Sequence, residues 1–356
     1  MGWYVEAEKP EMFWFDADFA KLQGTMDASL GKGNVNNLSL LDDGRVLVYS
    51  RSDRDPGAYY LYDPLAEQLQ EVLRPMDWIR PGRMAETRIM HYKARDGLEI
   101  PGYLTIPHGA PEKKLPLVAW IHGGPWARDY WGWAPDIQFL ASRGYAVFQP
   151  NYRGSTGFGG KHLISSFKKY GQTMQDDITD GIQYLIAQGI VDPDRVCIGG
   201  GSYGGYATMM GLVKEPKLFR CGINEAGVVD LVWAQELGYT DFNQSNPDAA
   251  EAWYKVAMGD VKADRAMLEQ YSPRLHASEI KAPVLIVHGA GDRRVPIKHA
   301  EGMRDALKAA GNSFEWVIYP EEGHGFTKPA NRIDRYKKIE AFLQKNLSSN
   351  SSPAAE

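Results

Sequence analysis

The chain has 356 residues and a formal net charge of −5, with 44% hydrophobic and 24% charged residues. This charge excludes electrostatic binding of nucleic acid as the main function, because such binding needs a strongly basic surface. No apolar run approaches the ~18 residues of a membrane span, and the acidic first twenty residues do not resemble a secretory signal. We therefore expect a soluble, cytoplasmic, enzyme-sized protein with neither a nucleic-acid nor a membrane partner.

Two cysteines occur, Cys197 and Cys221, and each lies inside a predicted strand. We expect them to pack as small buried hydrophobic residues rather than to form a disulfide framework. This expectation suits a reducing compartment.

The segment 1–85 alternates turn sequences with short β-prone runs. Arg45–Ser50 and Ala58–Tyr62 lie between turns rich in Asp, Gly and Pro. Such alternation predicts antiparallel hairpins. Pro75 and Pro81-Gly82 then predict a linker.

The pattern changes in residues 86–347, which we assign to one catalytic domain. Thr87–Tyr92 and Leu98–Ile106 predict a hairpin, and then apolar strands alternate with amphipathic helices. This alternation predicts an α/β fold with a mostly parallel, doubly wound sheet. The predicted strands are Leu117–His122, Tyr145–Pro150, Arg195–Gly199, Cys221–Glu225, Val284–His288 and Phe314–Tyr319. The predicted helices are Asp136–Arg143, Asp176–Gln188, Tyr203–Lys214, Ile297–Ala310 and Ile333–Asn346. Residues 348–356 are rich in Ser, Pro and Ala and predict a disordered tail.

The sequence Gly200-Gly201-Ser202-Tyr203-Gly204 matches the pattern G-x-S-x-G. The bare string is weak evidence, because a chain with this much glycine can contain it by chance. Its context is more specific, since it directly follows a predicted strand and directly precedes a predicted helix. That setting is typical of a nucleophile elbow, and it predicts Ser202 as the nucleophile.

A serine nucleophile needs a base, and the base needs an acid that orients it. On this type of sheet the acid and the base follow later strands, in the order acid then histidine. Asp292 and His324 fit these roles, because each lies just past a predicted strand. His299 is the competing base, but its place in a predicted helix favours packing, and His288 ends a buried strand.

An oxyanion hole requires two backbone N–H groups that face the developing negative charge. The residue after the nucleophile, Tyr203, supplies one. The sequence His122-Gly123-Gly124-Pro125 follows an early predicted strand and supplies the other, which we assign to Gly124 with Gly123 as the neighbouring choice.

Other tempting features have ordinary explanations. Trp126, Trp131 and Trp133 fit a pocket wall or buried packing equally well. Asp176 and Asp177 fit the N-terminus of a helix. The chain shows no zinc-ligand spacing, and we expect no metal and no cofactor.

Taken together, the motifs resemble the catalytic domain of the prolyl oligopeptidase family of serine peptidases. The resemblance covers residues ~85 to 347, and it is closest to the acylaminoacyl-peptidase and dipeptidyl-peptidase branch. It is carried by five segments in the family's order: HGGPWARDYW, PNYRGSTGFG, MQDDITDGIQYLIAQGIVDPDRVCIGGGSYGGYA, SPRLHASEIKAPVLIVHGAGDRRVP and YPEEGHGF.

The resemblance implies an α/β-hydrolase fold with Ser202, Asp292 and His324 as the triad. It implies the oxyanion donors Gly124 and Tyr203. It further implies that Arg294 holds a substrate carbonyl group and that Val295 borders the pocket for the side chain before the scissile bond.

The segment 1–85 departs from the family, whose members carry a β-propeller there. A propeller needs about four to eight blades of ~40–50 residues each, so 85 residues supply two at most. We interpret the segment as a propeller remnant whose exposed edges need cover. We expect it to pack on the hydrolase domain or on a second subunit, most simply in a homodimer.

These features predict a serine hydrolase that cleaves peptide or acyl-amino-acid bonds. A carboxylesterase with the same triad, acting on small esters, is the alternative. A non-catalytic binding scaffold is a third possibility, and the complete set of catalytic groups argues against it.

Overall fold

The computed structural model describes residues 2–31, 33–237 and 247–348. Most of the predicted tail, residues 349–356, therefore lies outside the described residues. The described residues up to Ile89, with Tyr103–Ala110 and Tyr130–Gly144, form a first compact unit. The second unit contains Met90–Gly102, Pro111–Asp129 and the described residues from Tyr145 onward.

The first unit begins with a hairpin, a helix and an antiparallel sheet. The hairpin strands are β1 (Gly2–Val5) and β2 (Glu11–Trp14), the helix is α1 (Ala17–Leu30), and the four sheet strands, paired in chain order, are β3 (Val35–Leu40), β4 (Val46–Arg51), β5 (Ala58–Asp63) and β6 (Gln68–Leu73). Alternate residues of β4 are buried, as expected for a strand with one face on a core. Met26 of α1 packs on Val46 and Val48.

The sequence analysis predicted the hairpins of this unit but did not predict α1. The signal was present, because Asp16 caps the helix. Its carboxylate accepts hydrogen bonds from the backbone N–H groups of Asp18 and Phe19.

A second sheet has eight strands. They are β7 (Glu86–Lys93), β8 (Glu99–Ile106), β9 (Leu115–Ile121), β10 (Ala146–Pro150), β11 (Val191–Gly201), β12 (Cys221–Glu225), β13 (Val284–Gly289) and β14 (Phe314–Tyr319), and their spatial order is β14-β13-β12-β11-β9-β10-β8-β7. Every pairing from β14 to β10 is parallel. The remaining helices are α2 (Pro135–Ser142), α3 (Gly160–Ile164), α4 (Thr173–Ala187), α5 (Tyr203–Lys214), α6 (Leu231–Glu236), α7 (Pro247–Ala257), α8 (Arg265–Gln270), α9 (Lys298–Ala309) and α10 (Pro329–Leu347). Two 3₁₀ turns, Pro81–Arg83 and Pro273–Glu279, complete the elements.

The burial of the central strands confirms the predicted α/β class. Strands β10, β12 and β13 are buried along their whole length, which explains why apolar residues in them do not alternate with polar ones. Helices α4, α5, α9 and α10 pack against this part of the sheet.

The expectation for the cysteines was wrong in one respect. Both residues are fully buried, as expected, but they are joined by a disulfide bond. Cys197 and Cys221 are register partners on the adjacent strands β11 and β12, with their Cα atoms 4.9 Å apart. Strand register, which cannot be read from the spacing of two cysteines, brings them side by side. The disulfide also removes one argument for a reducing compartment.

Among the residues that the structure describes, no helix combines the length and the apolar character needed to cross a bilayer.

Candidate active site

Ser202 lies in the turn between β11 and α5. Its backbone has a φ of 59° and a ψ of −117°, a conformation that is strained for a residue with a Cβ atom. The N–H of Ser202 donates a hydrogen bond of 2.9 Å to the carbonyl oxygen of Glu225, the last residue of β12. This sharp turn leaves the serine half-buried at the end of the sheet, between a strand and a helix N-terminus.

Two glycines make the turn sterically possible. A Cβ atom at Gly200 or at Gly204 would overlap the carbonyl oxygen of Ile121, the last residue of β9. The start of α5 therefore approaches β9 more closely than a residue with a Cβ atom at either position would allow. The glycines of the G-x-S-x-G pattern thus have a specific packing role in this turn.

Asp292 and His324 lie in the loops that follow β13 and β14, and they contact each other. His324 Nδ1 is 2.8 Å from Asp292 Oδ2. The other carboxylate oxygen, Oδ1, accepts hydrogen bonds from the N–H groups of Arg294 and Val295 at 2.8 and 2.9 Å. The Asp292 side chain is fully buried, whereas that of His324 is partly exposed. The carboxylate is therefore fixed from both sides, and it faces the Nδ1 atom of the imidazole.

The loop His122–Pro125 follows β9 and lies against Ser202. A Cβ atom on Gly123 would be 3.3 Å from Ser202 Cβ, so the two backbones are in close contact. Gly124 has a φ of 118°, which favours glycine. A small cleft opens beside these residues, and it is lined by Gly124, Tyr170, Ser202, Tyr203, Tyr206 and Val228.

A column of rings supports this loop. The His122 ring stacks on Tyr152 with centroids 4.4 Å apart, and Tyr152 stacks on Tyr203 at 5.3 Å. His122 Nδ1 lies 2.7 Å from the carbonyl oxygen of Gly123, and its Nε2 lies 2.9 Å from Ser155 Oγ. Burial lowers the pKa of His122 to about 4, so the ring is neutral at pH 7. The column thus connects the loop of Gly124 to Tyr203, the two residues predicted to supply the oxyanion donors.

Comparison with known proteins identifies the family. The family sequence model described as the prolyl oligopeptidase family matches residues 131–350. The chain belongs to the prolyl oligopeptidase family of serine peptidases. It is 35% identical to dipeptidyl aminopeptidase BIII of Pseudoxanthomonas mexicana, over 95% of this chain and 49% of that protein. It is 30% identical to dipeptidyl peptidase family member 6 of Caenorhabditis elegans, over 97% of this chain and 49% of that protein.

Solved structures of the family share the fold. Pyrococcus horikoshii acylaminoacyl peptidase superposes with a TM-score of 0.75 at 25% identity, over 90% of this chain and 50% of that one. A puromycin hydrolase superposes with a TM-score of 0.75 at 22% identity, over 87% and 47%. The structure thus confirms the α/β-hydrolase fold, and the chain spans about half the length of the relatives it matches.

The two competing histidines are buried. His299 is 1% exposed, and its Nδ1 accepts a hydrogen bond from the N–H of Val229. His288 is also 1% exposed, with Nε2 2.8 Å from the carbonyl oxygen of Val295. Burial lowers the pKa of both, to about 4 for His299. Both residues have packing roles inside the second unit.

The predicted substrate contacts differ in exposure. Arg294 is exposed, whereas Val295 is fully buried and does not line the cleft beside Ser202. Val228, in the segment after β12, does line that cleft. Trp126 packs edge-on against Trp253 with ring centroids 5.1 Å apart.

The expectation that Asp176 and Asp177 lie at the N-terminus of a helix holds only for Asp176, which lies in the first turn of α4. Helix α4 begins at Thr173, three residues before the predicted start, so neither aspartate caps it. Asp176 pairs with Lys214 at 2.8 Å. The buried Asp177 pairs with Arg153 at 2.7 Å. Both carboxylates are partners of basic residues that lie far away in the sequence.

The sequence reasoning missed several residues around the site. Tyr152 follows the strand β10 and lies in the segment PNYRGSTGFG, whereas Tyr170 lies in a loop before α4 and outside the five segments that carry the family resemblance. Glu322 stands two residues before His324 but looks the same in sequence as its neighbour Glu321. The segment PNYRGSTGFG could have drawn attention to Tyr152. Only the structure shows that Glu322 is buried and its neighbour Glu321 is exposed.

Proposed function

We propose that this chain is a serine peptidase that cleaves peptide or acyl-amino-acid bonds through an acyl-enzyme on Ser202. The observation that carries the proposal is the 2.8 Å contact between His324 Nδ1 and Asp292 Oδ2. Because the carboxylate can only accept a hydrogen bond here, Nδ1 carries the hydrogen and donates it, and Nε2 is left as the basic nitrogen. This is the tautomer that a serine nucleophile requires of its base.

In the first step, His324 Nε2 takes the proton of the Ser202 hydroxyl while Oγ bonds to the substrate carbonyl carbon. The carbonyl oxygen becomes negative, and the backbone N–H groups of Tyr203 and Gly124 stabilise it. Tyr203 suits this role because it is the first residue of α5, where the N–H groups have no partner inside the helix. The imidazolium then gives its proton to the leaving amine, and water releases the acyl group by the reverse sequence.

The substrate class follows from the relatives. The relatives at 30% identity or more are named as dipeptidyl peptidases or as an acylamino-acid-releasing enzyme, which supports an amide bond as the target. In our proposal, Arg294 holds a substrate carbonyl group. The same groups would also cleave small esters, because an alcohol is a better leaving group than an amine.

Labelling with a fluorophosphonate probe tests the nucleophile. The wild-type protein is expected to react, and Ser202→Ala is not. In a turnover assay on dipeptidyl and acyl-amino-acid p-nitroanilides, Ser202→Ala and His324→Ala are each expected to lower kcat by about 10⁶-fold, because the two residues act as a unit. Ser278→Ala, at an exposed serine, serves as the matched control for labelling and is expected to keep reacting with the probe.

Two outcomes would contradict the proposal. Labelling of Ser202→Ala at wild-type rates would show that another residue is the nucleophile. Activity of His324→Ala above a tenth of wild type, with loss of activity in His299→Asn, would show that the base is misassigned. Cleavage of p-nitrophenyl esters without any cleavage of anilides or peptides would instead indicate an esterase.

A further inference from the structure

The side chain of Glu322 is surrounded by hydrogen-bond donors. Oε2 accepts from the backbone N–H and from the hydroxyl of Thr327, both at 3.0 Å. Oε1 accepts from the N–H of Lys328 at 2.9 Å and from Asn331 Nδ2 at 2.8 Å. The residue is 1% exposed. The carboxylate therefore closes a loop from 322 to 328, and His324 lies inside that loop.

The backbone of Glu322 holds a second loop. Its carbonyl oxygen accepts a hydrogen bond of 2.9 Å from the N–H of Gly291, next to Asp292. Gly289, at the end of β13, lies so close to the backbone of Glu322 and Gly323 that a Cβ atom there would overlap it. One residue thus connects the loop of the acid, the loop of the base and the start of α10.

The chemistry of the four contacts requires a carboxylate. All four partners donate, and only an ionised carboxylate offers two oxygens that accept without donating. These bonds, above all the one from the Thr327 N–H, lower the pKa of Glu322 to about 2, so it stays ionised at neutral pH. A glutamine would keep one acceptor oxygen but would turn an NH₂ group towards two other donors.

We propose that Glu322 is a positioning residue that holds His324 against Asp292. This inference rests on the triad in the proposed function, because it assigns Glu322 a role only through His324. Glu322 does not touch the reacting atoms. It fixes both ends of the loop that carries the base, and it fixes this loop to the loop that carries the acid. A displacement of about 1 Å at a reacting group can lower a rate by about 100-fold.

The test compares Glu322→Gln with Glu321→Gln in the full chain. Glu321 is adjacent but exposed, and its side chain pairs with Lys328. We expect Glu322→Gln to lower kcat by about 10- to 100-fold with KM within about twofold of wild type. Glu321→Gln is expected to match wild type. Glu322→Asp keeps the charge but has a shorter reach, and its loss is expected to be smaller than that of Glu322→Gln.

A second measurement separates positioning from folding. Proton NMR of the wild type is expected to show a low-field resonance from His324 Nδ1–H, identified by its loss in His324→Ala. In folded Glu322→Gln this resonance is expected to broaden or disappear. Should Glu322→Gln fail to fold, Thr327→Val removes only the hydroxyl contact and is expected to lower kcat about two- to fivefold.

A folded Glu322→Gln variant with wild-type kcat and an intact low-field resonance would overturn the inference. If Glu322→Gln does not fold, the same result in Thr327→Val would overturn it. Equal losses in Glu322→Gln and Glu321→Gln would overturn it as well. Failure of the proposed function looks different, because Ser202→Ala or His324→Ala would then retain the activity of the wild type.

Discussion

The buried His299 makes a component of stability depend on pH. It is 1% exposed, and burial lowers its pKa from the usual 6.5 to about 4. Asp230, Arg274, His288 and Asp292 are the charged or titratable groups that influence it, and burial outweighs them. Because the unfolded chain binds a proton at higher pH than the folded chain, the contribution of His299 is complete above pH 6.5 and is lost as the pH falls towards 4.

The size of this contribution follows from the two pKa values. Between pH 8 and pH 5 the free energy of unfolding should fall by about 2 kcal/mol on account of His299, and the full loss below pH 4 is about 3 kcal/mol. A stability curve of wild type alone does not isolate this effect. His122, with a pKa of about 4, acts in the same direction, whereas the raised pKa of Asp129, about 7, acts in the opposite one.

A variant isolates the effect of His299. His299→Asn keeps an acceptor near the position of Nδ1, which can receive the hydrogen bond from Val229, but it does not titrate. Urea unfolding of both proteins at pH 8, 6.5 and 5 gives the difference in stability at each pH. We expect the variant to be less stable at pH 8 and to recover about 2 kcal/mol relative to wild type by pH 5. Parallel curves for the two proteins would refute the reasoning, because they would show that His299 is not held neutral by the fold.

Three further predictions concern other parts of the chain. Two nitrogens of Arg335 lie 2.6 and 2.7 Å from the buried carboxylate of Glu225. Arg335→Met removes this partner and should lower the free energy of unfolding by about 3–5 kcal/mol in urea titrations. A loss below about 1 kcal/mol would contradict this prediction. Arg294→Ala should raise KM for peptides and anilides but hardly change the hydrolysis of a small acetate ester, and equal losses on both substrates would instead assign Arg294 a structural role. Sedimentation velocity should show a dimer, since Trp3, Phe13 and Phe15 of the first unit are each more than half exposed; a monomer at all concentrations would contradict this expectation.

The central sheet was largely predictable because its strands carry their own signal. A parallel strand covered on both faces is apolar along its whole length, and turns and helices bound it on either side. Strands β12 and β14 have the same limits in the sequence prediction and in the structure. The helix α1 was missed because its weakly amphipathic sequence, with Gly24 in the middle, lacks a clear apolar stripe.

The parts that were missed depend on contacts between distant segments. The disulfide between Cys197 and Cys221 depends on the register of β11 against β12. The pairing of Asp177 with Arg153 depends on how α4 lies beside the segment after β10. In each case the local sequence offers an adequate explanation, a buried thiol or a helix start, and only the tertiary contact shows that another interaction is made.

The strand order explains why the loops that carry the predicted site residues lie along one edge of the sheet. Strands β14, β13, β12, β11 and β9 are neighbours and run parallel, so their carboxyl ends lie along one edge of the sheet. His324, Asp292, Ser202 and Gly124 each follow one of these strands. Between the strands that precede Asp292 and Ser202 lies β12, which carries no residue of the proposed triad. Its last residue, Glu225, instead accepts the N–H of Ser202 through its carbonyl oxygen and binds Arg335 of α10 through its carboxylate. The carboxylate of Glu322 also accepts hydrogen bonds at the start of α10. This helix is therefore connected to the turn of Ser202 and to the loop of His324. We therefore expect that a change in α10 can disturb the turn of Ser202 and the loop of His324 together, even when every side chain of the proposed triad is intact.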